Sequence, residues 1–161
     1  MTLNPSVRRV VDAAAEHNLN IDVREFPEGT RTADDAARAV GVEVGQIVKS
    51  LVFSVNGETV LALVSGANRL DERALARATG DESQSVGRVD ADAVRVATGY
   101  AIGGVPPFGH PTQLATFVDR DLLGYDTVWA AAGTPRHVFS APPAELVRLT
   151  RGKVADLRDQ R

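Results

Sequence analysis

The sequence predicts a mixed α/β fold, in which helices surround a β-sheet of mixed strand directions. Helical and strand-like patterns are interleaved along the chain, and one segment is a clear β-hairpin. The order does not follow a regular strand–helix–strand series, which argues against an all-parallel sheet. With 161 residues, 43% of them hydrophobic and 24% charged, the chain fits a single domain covering residues 1–161.

The first part of the chain is predicted to form two helices and a strand. Apolar residues recur at helical spacing over residues 6–17, and residues 21–26 alternate as a strand does. A second helix begins after Thr32, whose side chain can cap it, and ends at Gly41. These elements precede the clearest pattern in the sequence.

That pattern is a β-hairpin over residues 46–65. Two apolar runs flank Asn56-Gly57, the strongest short hairpin signal. A two-residue loop there places Lys49 opposite Val64. Because side chains alternate between the faces of a strand, Lys49 shares its face with four apolar side chains, those of Ile47, Leu51, Phe53 and Val55. Its ammonium is expected to emerge beside Ser65-Gly66.

Beyond the hairpin, the pattern predicts three more helices, a long loop and further strands. The helices cover residues 70–79, 90–98 and 142–149, the glycine- and proline-rich loop covers 99–111, and the strands include 116–119, 127–131 and 138–139. Asp71 or Asn68 can cap the first of these helices, and Ser140 the last. The charged tail from Arg151 is expected to fray.

Composition excludes several classes of function. The absence of Cys excludes disulfides, Cys–zinc sites and thiol nucleophiles. The N-terminal sequence lacks the apolar core of a signal peptide and no run approaches a membrane span, so a cytoplasmic protein without a membrane partner is expected. A net charge of −3 argues against strong non-specific nucleic-acid binding, and DNA is not an expected partner. An RNA contact would be local or would need a partner protein.

Lys49 is the first candidate for chemistry. Of the 18 basic residues only Lys49 and Lys153 are lysines. Lysine is a compact point charge whose pKa falls on burial, whereas arginine is a planar fork that stays charged. A lysine in an edge strand can simply prevent aggregation. The alternative is a half-buried cation that binds a phosphate or a carbonyl oxygen.

Two later segments have both a structural and a functional interpretation. The loop from Gly99 to His110 contains four glycines and two prolines, so it can be a crossover or can direct backbone N–H groups at an oxyanion. The segment 133–137 can be a tight turn, or His137 can contact a ligand there. His17 and His110 lack partners at metal-ligand spacing, so no metal site is expected.

In combination, these segments resemble the YbaK-type aminoacyl-tRNA deacylases, which include the editing domain inserted in bacterial prolyl-tRNA synthetase. Three features carry the resemblance, which spans residues 21–157. They are the strand with Lys49, the glycine–proline loop Gly99-Tyr100-x-x-Gly103-Gly104-Val105-x-Pro107-x-Gly109, and a strand that ends at Gly133 with His137 four residues later. The resemblance implies a barrel-like mixed sheet. It also implies hydrolysis of mischarged aminoacyl-tRNA in trans, typically tRNA for proline carrying Cys or Ala.

The resemblance also implies the site residues. Lys49 corresponds to the family's essential lysine, and the substrate-binding positions are Gly103, Gly104, Pro107, Gly109, Gly133 and His137. Some members, notably those that remove Cys, carry a hydroxyl residue near the end of the strand where this chain has Ala131-Ala132-Gly133. A serine-dependent step at that position is therefore not available here.

The expected activity is an aminoacyl-tRNA deacylase that needs no cofactor. Its partner is the 3′ end of an aminoacyl-tRNA, and prolyl-tRNA synthetase is a candidate protein partner. The alternative is a non-catalytic module that binds a nucleotide or a tRNA 3′ end, or that regulates a synthetase. A Schiff-base enzyme that uses Lys49 with pyridoxal phosphate is a more distant alternative. Hydrolysis of a substrate distinguishes the deacylase from the non-catalytic binding module.

Overall fold

A computed structural model describes residues 3–29 and 32–159, with five α-helices and eight β-strands among them. The helices are α1 (Pro5–Glu16), α2 (Ala33–Val40), α3 (Glu72–Ala78), α4 (Ala91–Thr98) and α5 (Pro143–Thr150). The strands are β1 (Val23–Glu25), β2 (Val48–Val55), β3 (Glu58–Ser65), β4 (Val86–Arg88), β5 (Ala115–Asp119), β6 (Val128–Ala131), β7 (His137–Ala141) and β8 (Lys153–Ala155).

The strands form two sheets. The five-stranded sheet has the order β4-β2-β3-β5-β8, and is antiparallel from β4 to β3 but parallel from β3 to β8. The three-stranded sheet, β1-β7-β6, is antiparallel. A single parallel bridge between Ile47 and Trp129 joins the two sheets. The predicted mixed α/β fold is confirmed, whereas the strands within residues 3–29 and 32–159 do not close into a barrel, so the barrel-like shape is not confirmed.

The β2–β3 hairpin has the predicted register. Lys49 lies opposite Val64, and the pairing continues without a break to Val55 and Glu58. Asn56 and Gly57 both have positive φ, 52° and 83°, as a type I′ turn requires. The local sequence therefore decides on which face of the sheet Lys49 lies.

Polar side chains and left-handed glycines fix the helix ends as predicted. The Thr32 hydroxyl accepts from the Asp35 N–H at 3.0 Å at the start of α2, and Gly41 ends that helix with φ 80°. Asp71, rather than Asn68, caps α3 by accepting from the Arg73 N–H at 2.9 Å. Asn68 does not cap the helix, and its side chain donates instead to the carboxylates of Asp119 and Asp121.

Two expectations for the C-terminal part are wrong. Ser140 does not cap the last helix, because it lies in β7 opposite Trp129 and α5 begins instead after Pro142. The tail beyond Arg151 does not fray over its described part, since β8 pairs with β5 and Leu157 is fully buried. Strand β4, which pairs with β2, was not predicted either.

Apolar residues cover both faces of the hairpin. One face contributes to a large core shared with β6, β7 and α5, which contains Val48, Leu61, Leu63, Val118, Ala130, Phe139 and Leu146. The other face packs with α3 and the segment after β8, through Leu51, Phe53, Ala62, Val64, Leu75 and Leu157. Lys49 is thus the one charged residue of β2. Within the described ranges, no helix is long and apolar enough to cross a bilayer.

Candidate active site

Lys49 lies where two clefts meet. We call the first the arginine cleft; it has a volume of about 730 Å³ and is lined by Arg69, Arg73 and Arg88 together with the exposed edge of β2. The second, the His137 pocket, has about 500 Å³ and is bounded by α2, the end of β6, Thr134 and His137. Both are lined by six common residues, Lys49, Ser50, Leu51, Ile102, Gly103 and Val105. A ligand that occupied both clefts would pass Lys49.

The Lys49 ammonium is held by a backbone carbonyl. Its Nζ donates a hydrogen bond to the carbonyl oxygen of Asn68, in the turn that follows β3. Burial lowers the pKa of Lys49 below its ordinary value, and the negative charge of Asp119 partly offsets this effect. The side chain is therefore half-buried and positioned, and a nearby phosphate would favour its charged form further.

The turn that holds Lys49 is itself fixed by two carboxylates. The Asn68 side-chain amide donates to Asp119 Oδ2 at 2.9 Å and to Asp121 Oδ2 at 2.8 Å. Asp119 is fully buried at the end of β5, where its carboxylate also accepts from the N–H groups of Ser65 and Asp121, both at 3.0 Å. This network positions the carbonyl of Asn68, and through it the ammonium of Lys49.

The His137 pocket is apolar with one polar end. Its apolar wall includes Ala33, Ala36, Val40, Trp129, Ala131 and Val138. At the polar end, Thr134 Oγ1 lies 2.6 Å from His137 Nδ1 and also accepts from the Arg136 N–H at 3.1 Å. The other ring nitrogen, Nε2, lies 3.6 Å from a Glu25 carboxylate oxygen. His137 is thus held in one orientation, with its side chain 17% exposed.

Close backbone contacts explain two of the predicted glycines. A Cβ on Gly104 would lie 2.7 Å from the Cα of Thr134, so only glycine lets this loop pack against the polar end of the pocket. A Cβ on Gly133, which has φ 101°, would lie 2.7 Å from the carbonyl oxygen of Ser6 in α1. These two glycines shape the pocket by allowing close backbone packing around it, and not by contacting a ligand.

Gly103 is one of three loop residues, with Ile102 and Val105, that line both clefts beside Lys49. The Gly104 N–H is bonded to the Ala101 carbonyl at 2.9 Å, whereas the Gly103 N–H has no hydrogen-bond partner within the described part of the chain. Gly103 can therefore donate a backbone hydrogen bond to a ligand at the junction of the clefts.

Pro107 and Gly109 line neither of the two clefts that meet at Lys49. They line a third cleft, of about 400 Å³, with Arg9, His17 and His110. Their segment is fixed by the Tyr100 hydroxyl, which donates to the Gly109 carbonyl at 2.9 Å, and by His110 Nε2, which donates to the Pro106 carbonyl at 2.8 Å. Burial lowers the pKa of His110, so a neutral ring is favoured. The structure thus brings Lys49, Gly103, Gly104 and His137 together, while Pro107 and Gly109 support the far end of the loop.

Sequence reasoning missed Ser50, Asn68 and Asp119. Ser50 lines both clefts, and its hydroxyl oxygen is buried with no hydrogen-bond partner in the described ranges. Buried polar groups without partners are rare, which suggests that a ligand supplies the partner. Asp119 gave a usable signal, because a carboxylate at the end of an apolar strand is costly unless it is bonded. Nothing in the sequence marked Asn68 or Ser50.

Comparisons with known proteins agree with this geometry. The family model described as "Aminoacyl-tRNA editing domain" matches residues 27–149. The chain belongs to this family. The match covers Lys49, the glycine–proline loop and His137, and it confirms the resemblance to YbaK-type proteins.

Individual relatives extend over nearly the whole chain. A crystal structure described as "a putative trans-editing enzyme for prolyl tRNA synthetase" is 51% identical, with a TM-score of 0.91 over 98% of this chain and 99% of that one. A protein of Enterococcus faecalis named "Putative Cys-tRNA(Pro)/Cys-tRNA(Cys) deacylase EbsC" is 30% identical over 88% of this chain and 87% of its own length. The proline–tRNA ligase of Maridesulfovibrio salexigens is 30% identical over 76% of this chain but only 21% of the ligase.

Proposed function

We propose that this protein hydrolyses the ester bond of mischarged aminoacyl-tRNA in trans, through Lys49. The observation that carries the proposal is the position of Lys49 where an apolar pocket and a cleft with three arginines meet. An aminoacyl ester joins a small organic group to a polyanion. The two clefts provide a place for each part, with the ester beside the ammonium.

The proposed chemistry is direct attack on the ester carbonyl. The ester is already activated, so the site needs to orient it, stabilise the tetrahedral oxyanion and admit a nucleophile. Lys49 and the Gly103 N–H are the donors to the oxyanion or to the terminal phosphate. Water supplies the nucleophile, either alone or assisted by the 2′-hydroxyl of the terminal ribose, and its oxygen forms the new bond to the carbonyl carbon. The bond from the carbonyl carbon to the ribose oxygen then breaks, and free amino acid and tRNA leave.

The His137 pocket is assigned to the aminoacyl group. Its apolar wall suits a small side chain, and the oriented imidazole of His137 at its polar end can contact a polar group of the amino acid. Ala131 lines this pocket. No Ser or Cys nucleophile stands at that position, which favours attack by water, with or without assistance from the 2′-hydroxyl, over an acyl-enzyme.

The substrate class follows from the relatives. Two of them are named for prolyl-tRNA synthetase or for tRNA for proline, so we propose tRNA for proline carrying a small non-cognate amino acid. Apolar pockets discriminate poorly between amino acids that differ by a methylene, which is why a separate editing step is needed. We also propose that residues 1–161 act as one editing domain with its core at residues 21–157. The site of action would be the cytoplasm, where tRNA is charged, with prolyl-tRNA synthetase as a candidate partner.

Deacylation of a panel of mischarged tRNAs tests the proposal. Ala-, Cys- and Ser-tRNA for proline are incubated with wild type, Lys49→Ala and Lys153→Ala. Lys153 is the matched control, because it is the other lysine and its ammonium donates to the Ala78 carbonyl on the surface at 2.9 Å. The expected result is turnover by wild type and Lys153→Ala, with loss in Lys49→Ala.

Two other results would overturn it. A folded Lys49→Ala variant that keeps most of the activity excludes the lysine mechanism. Binding of tRNA or nucleotide without turnover on any substrate would instead assign the protein as a non-catalytic binding module.

A further inference from the structure

The arginine cleft carries unpaired positive charge. Arg69, Arg73 and Arg88 line it, and none forms an ion pair with another described residue. Other arginines do form such pairs, including Arg38 with Asp35 at 2.7 Å and Arg148 with Glu145 at 2.5 Å. The cleft therefore keeps three guanidinium groups available to a ligand.

These arginines come from three different elements and extend away from Lys49. Arg69 directly follows Asn68, whose carbonyl holds the Lys49 ammonium. Arg73 lies in the first turn of α3, and Arg88 in β4 pairs with Phe53 of β2. Phe53 is four residues beyond Lys49 in the same strand, a distance of about 13 Å. The cleft therefore leads along β2 from the reacting position.

Acidic side chains reduce this charge but do not cancel it. Asp71, Glu72 and Asp159 also line the cleft, against the four cations of Lys49 and the three arginines. The Asp71 carboxylate is turned toward its own helix, where it accepts from the Arg73 N–H. In a chain of net charge −3, a cleft with more cations than carboxylates is a local exception.

The floor and rim of the cleft are apolar. Phe53 and Leu51 lie on its floor along β2, and Ile102, which is 55% exposed, projects from the glycine–proline loop. Proteins bind single-stranded nucleic acid by combining cations along the backbone with aromatic side chains that stack on bases. The arginine cleft has both components.

We propose that the arginine cleft binds the single-stranded 3′ end of the tRNA, with its phosphates on Arg69, Arg73 and Arg88 and its bases against Phe53 and Ile102. The proposal rests on the proposed function, since it assumes that the ester lies at Lys49. It assigns the arginines to binding of the RNA and leaves the ester chemistry to Lys49. It also explains how an acidic protein can hold RNA through a local contact.

The test replaces the three arginines by glutamine and varies the salt concentration. Each phosphate contact with a single strand contributes about 0.7 to the slope of log affinity against log salt, so the triple variant should lose about 2 from this slope. KM for aminoacyl-tRNA should rise with kcat retained, and hydrolysis of the corresponding aminoacyl-adenosine ester should be unchanged. Arg95→Gln is the matched control, because Arg95 is exposed on α4 and lines none of the three clefts.

The same slope is measured by direct binding of a short single-stranded RNA with the tRNA 3′-terminal sequence. This second readout separates the two proposals, because absence of turnover in wild type contradicts the proposed function alone. An unchanged slope in the triple variant, or an equal loss of activity on aminoacyl-tRNA and on the adenosine ester, overturns the arginine-cleft proposal. If the triple variant unfolds, each single Arg→Gln variant should reduce the slope by about 0.7.

Discussion

The two clefts that meet at Lys49 differ in the kind of residues that form their walls. Apolar side chains line most of the His137 pocket, and close backbone packing of Gly104 on Thr134 and of Gly133 on α1 holds the segments around it. Long charged side chains from three elements line the arginine cleft instead. An apolar wall held by close backbone packing is rigid and suits selection by shape, whereas a wall of arginines is adaptable and suits capture of a polyanion.

This difference indicates that selection of the amino acid and capture of the RNA are separate functions, joined only at the lysine. Substitutions in the His137 pocket should then change which amino acid is removed, and substitutions in the arginine cleft should change KM and its dependence on salt.

Asp119→Asn should have the largest effect on the junction. It removes the negative charge that raises the pKa of Lys49 and weakens the bonds to Ser65 and Asn68. Hydrogen bonds to a charged group contribute about 1.5–3 kcal/mol, so the free energy of unfolding should fall by about that amount. The active form needs a charged Lys49, so activity is lost as pH rises through its pKa. Because that pKa falls in the variant, the loss in kcat/KM should begin at a lower pH.

Asp121→Asn is the control for this experiment. Asp121 also accepts from the Asn68 amide, but Asp119 is the carboxylate whose charge acts on Lys49. The alkaline limb of the pH profile should therefore stay in place in Asp121→Asn. Equal shifts in both variants would show that the network acts only through its hydrogen bonds.

Gly104→Ala should disturb the pocket and leave the arginine cleft intact. The added Cβ would lie 2.7 Å from the Cα of Thr134, and overpacking of this kind costs about 1–3 kcal/mol of the free energy of unfolding. The order of preference among Ala-, Cys- and Ser-tRNA should change, while the salt dependence of KM should not.

Gly87→Ala provides the comparison for the glycine substitution. Gly87 lies in β4 with no atom near an added Cβ and without a positive φ. The free energy of unfolding of Gly87→Ala should therefore be nearly that of wild type. If Gly104→Ala changed the salt dependence as strongly as the amino-acid preference, the two clefts would not be independent.

Ser50→Ala should have the smallest effect. It should raise the free energy of unfolding, whereas Asp119→Asn and Gly104→Ala should lower it. The Ser50 hydroxyl is buried without a partner, and such a group costs about 1–3 kcal/mol. Its removal should raise the free energy of unfolding by about 1 kcal/mol. If a bound substrate supplies the missing partner, kcat/KM should fall in the same variant. Higher stability with unchanged kcat/KM would exclude Ser50 from the site.

Local signals were enough to predict much of the fold. Asn56-Gly57 determined the hairpin turn and thereby the face on which Lys49 lies, and Thr32 and Gly41 marked the ends of α2. These features depend on residues close together in the sequence. Strands β4 and β8 were missed because each has only three residues and forms by pairing with a distant strand.

The site was predicted less completely for the same physical reason. Lys49 was recognisable because lysine is rare in this chain and stands in an apolar strand. The arginines of the cleft were not recognisable in the sequence, because the sequence is rich in arginine and the fold alone decides which ones share a surface. The bond from Lys49 to Asn68 likewise depends on Asp119, which is 51 residues from Asn68.

The most direct test of the central claim is a single-turnover measurement on the best substrate of the panel, with enzyme in excess. At saturating enzyme, the rate of ester hydrolysis should fall by about 10²–10³-fold in Lys49→Ala, as expected when one donor to the oxyanion is lost. Binding of the deacylated tRNA should weaken much less, because the arginine cleft is intact. A folded Lys49→Ala variant whose single-turnover rate stays within a few fold of wild type would contradict the account.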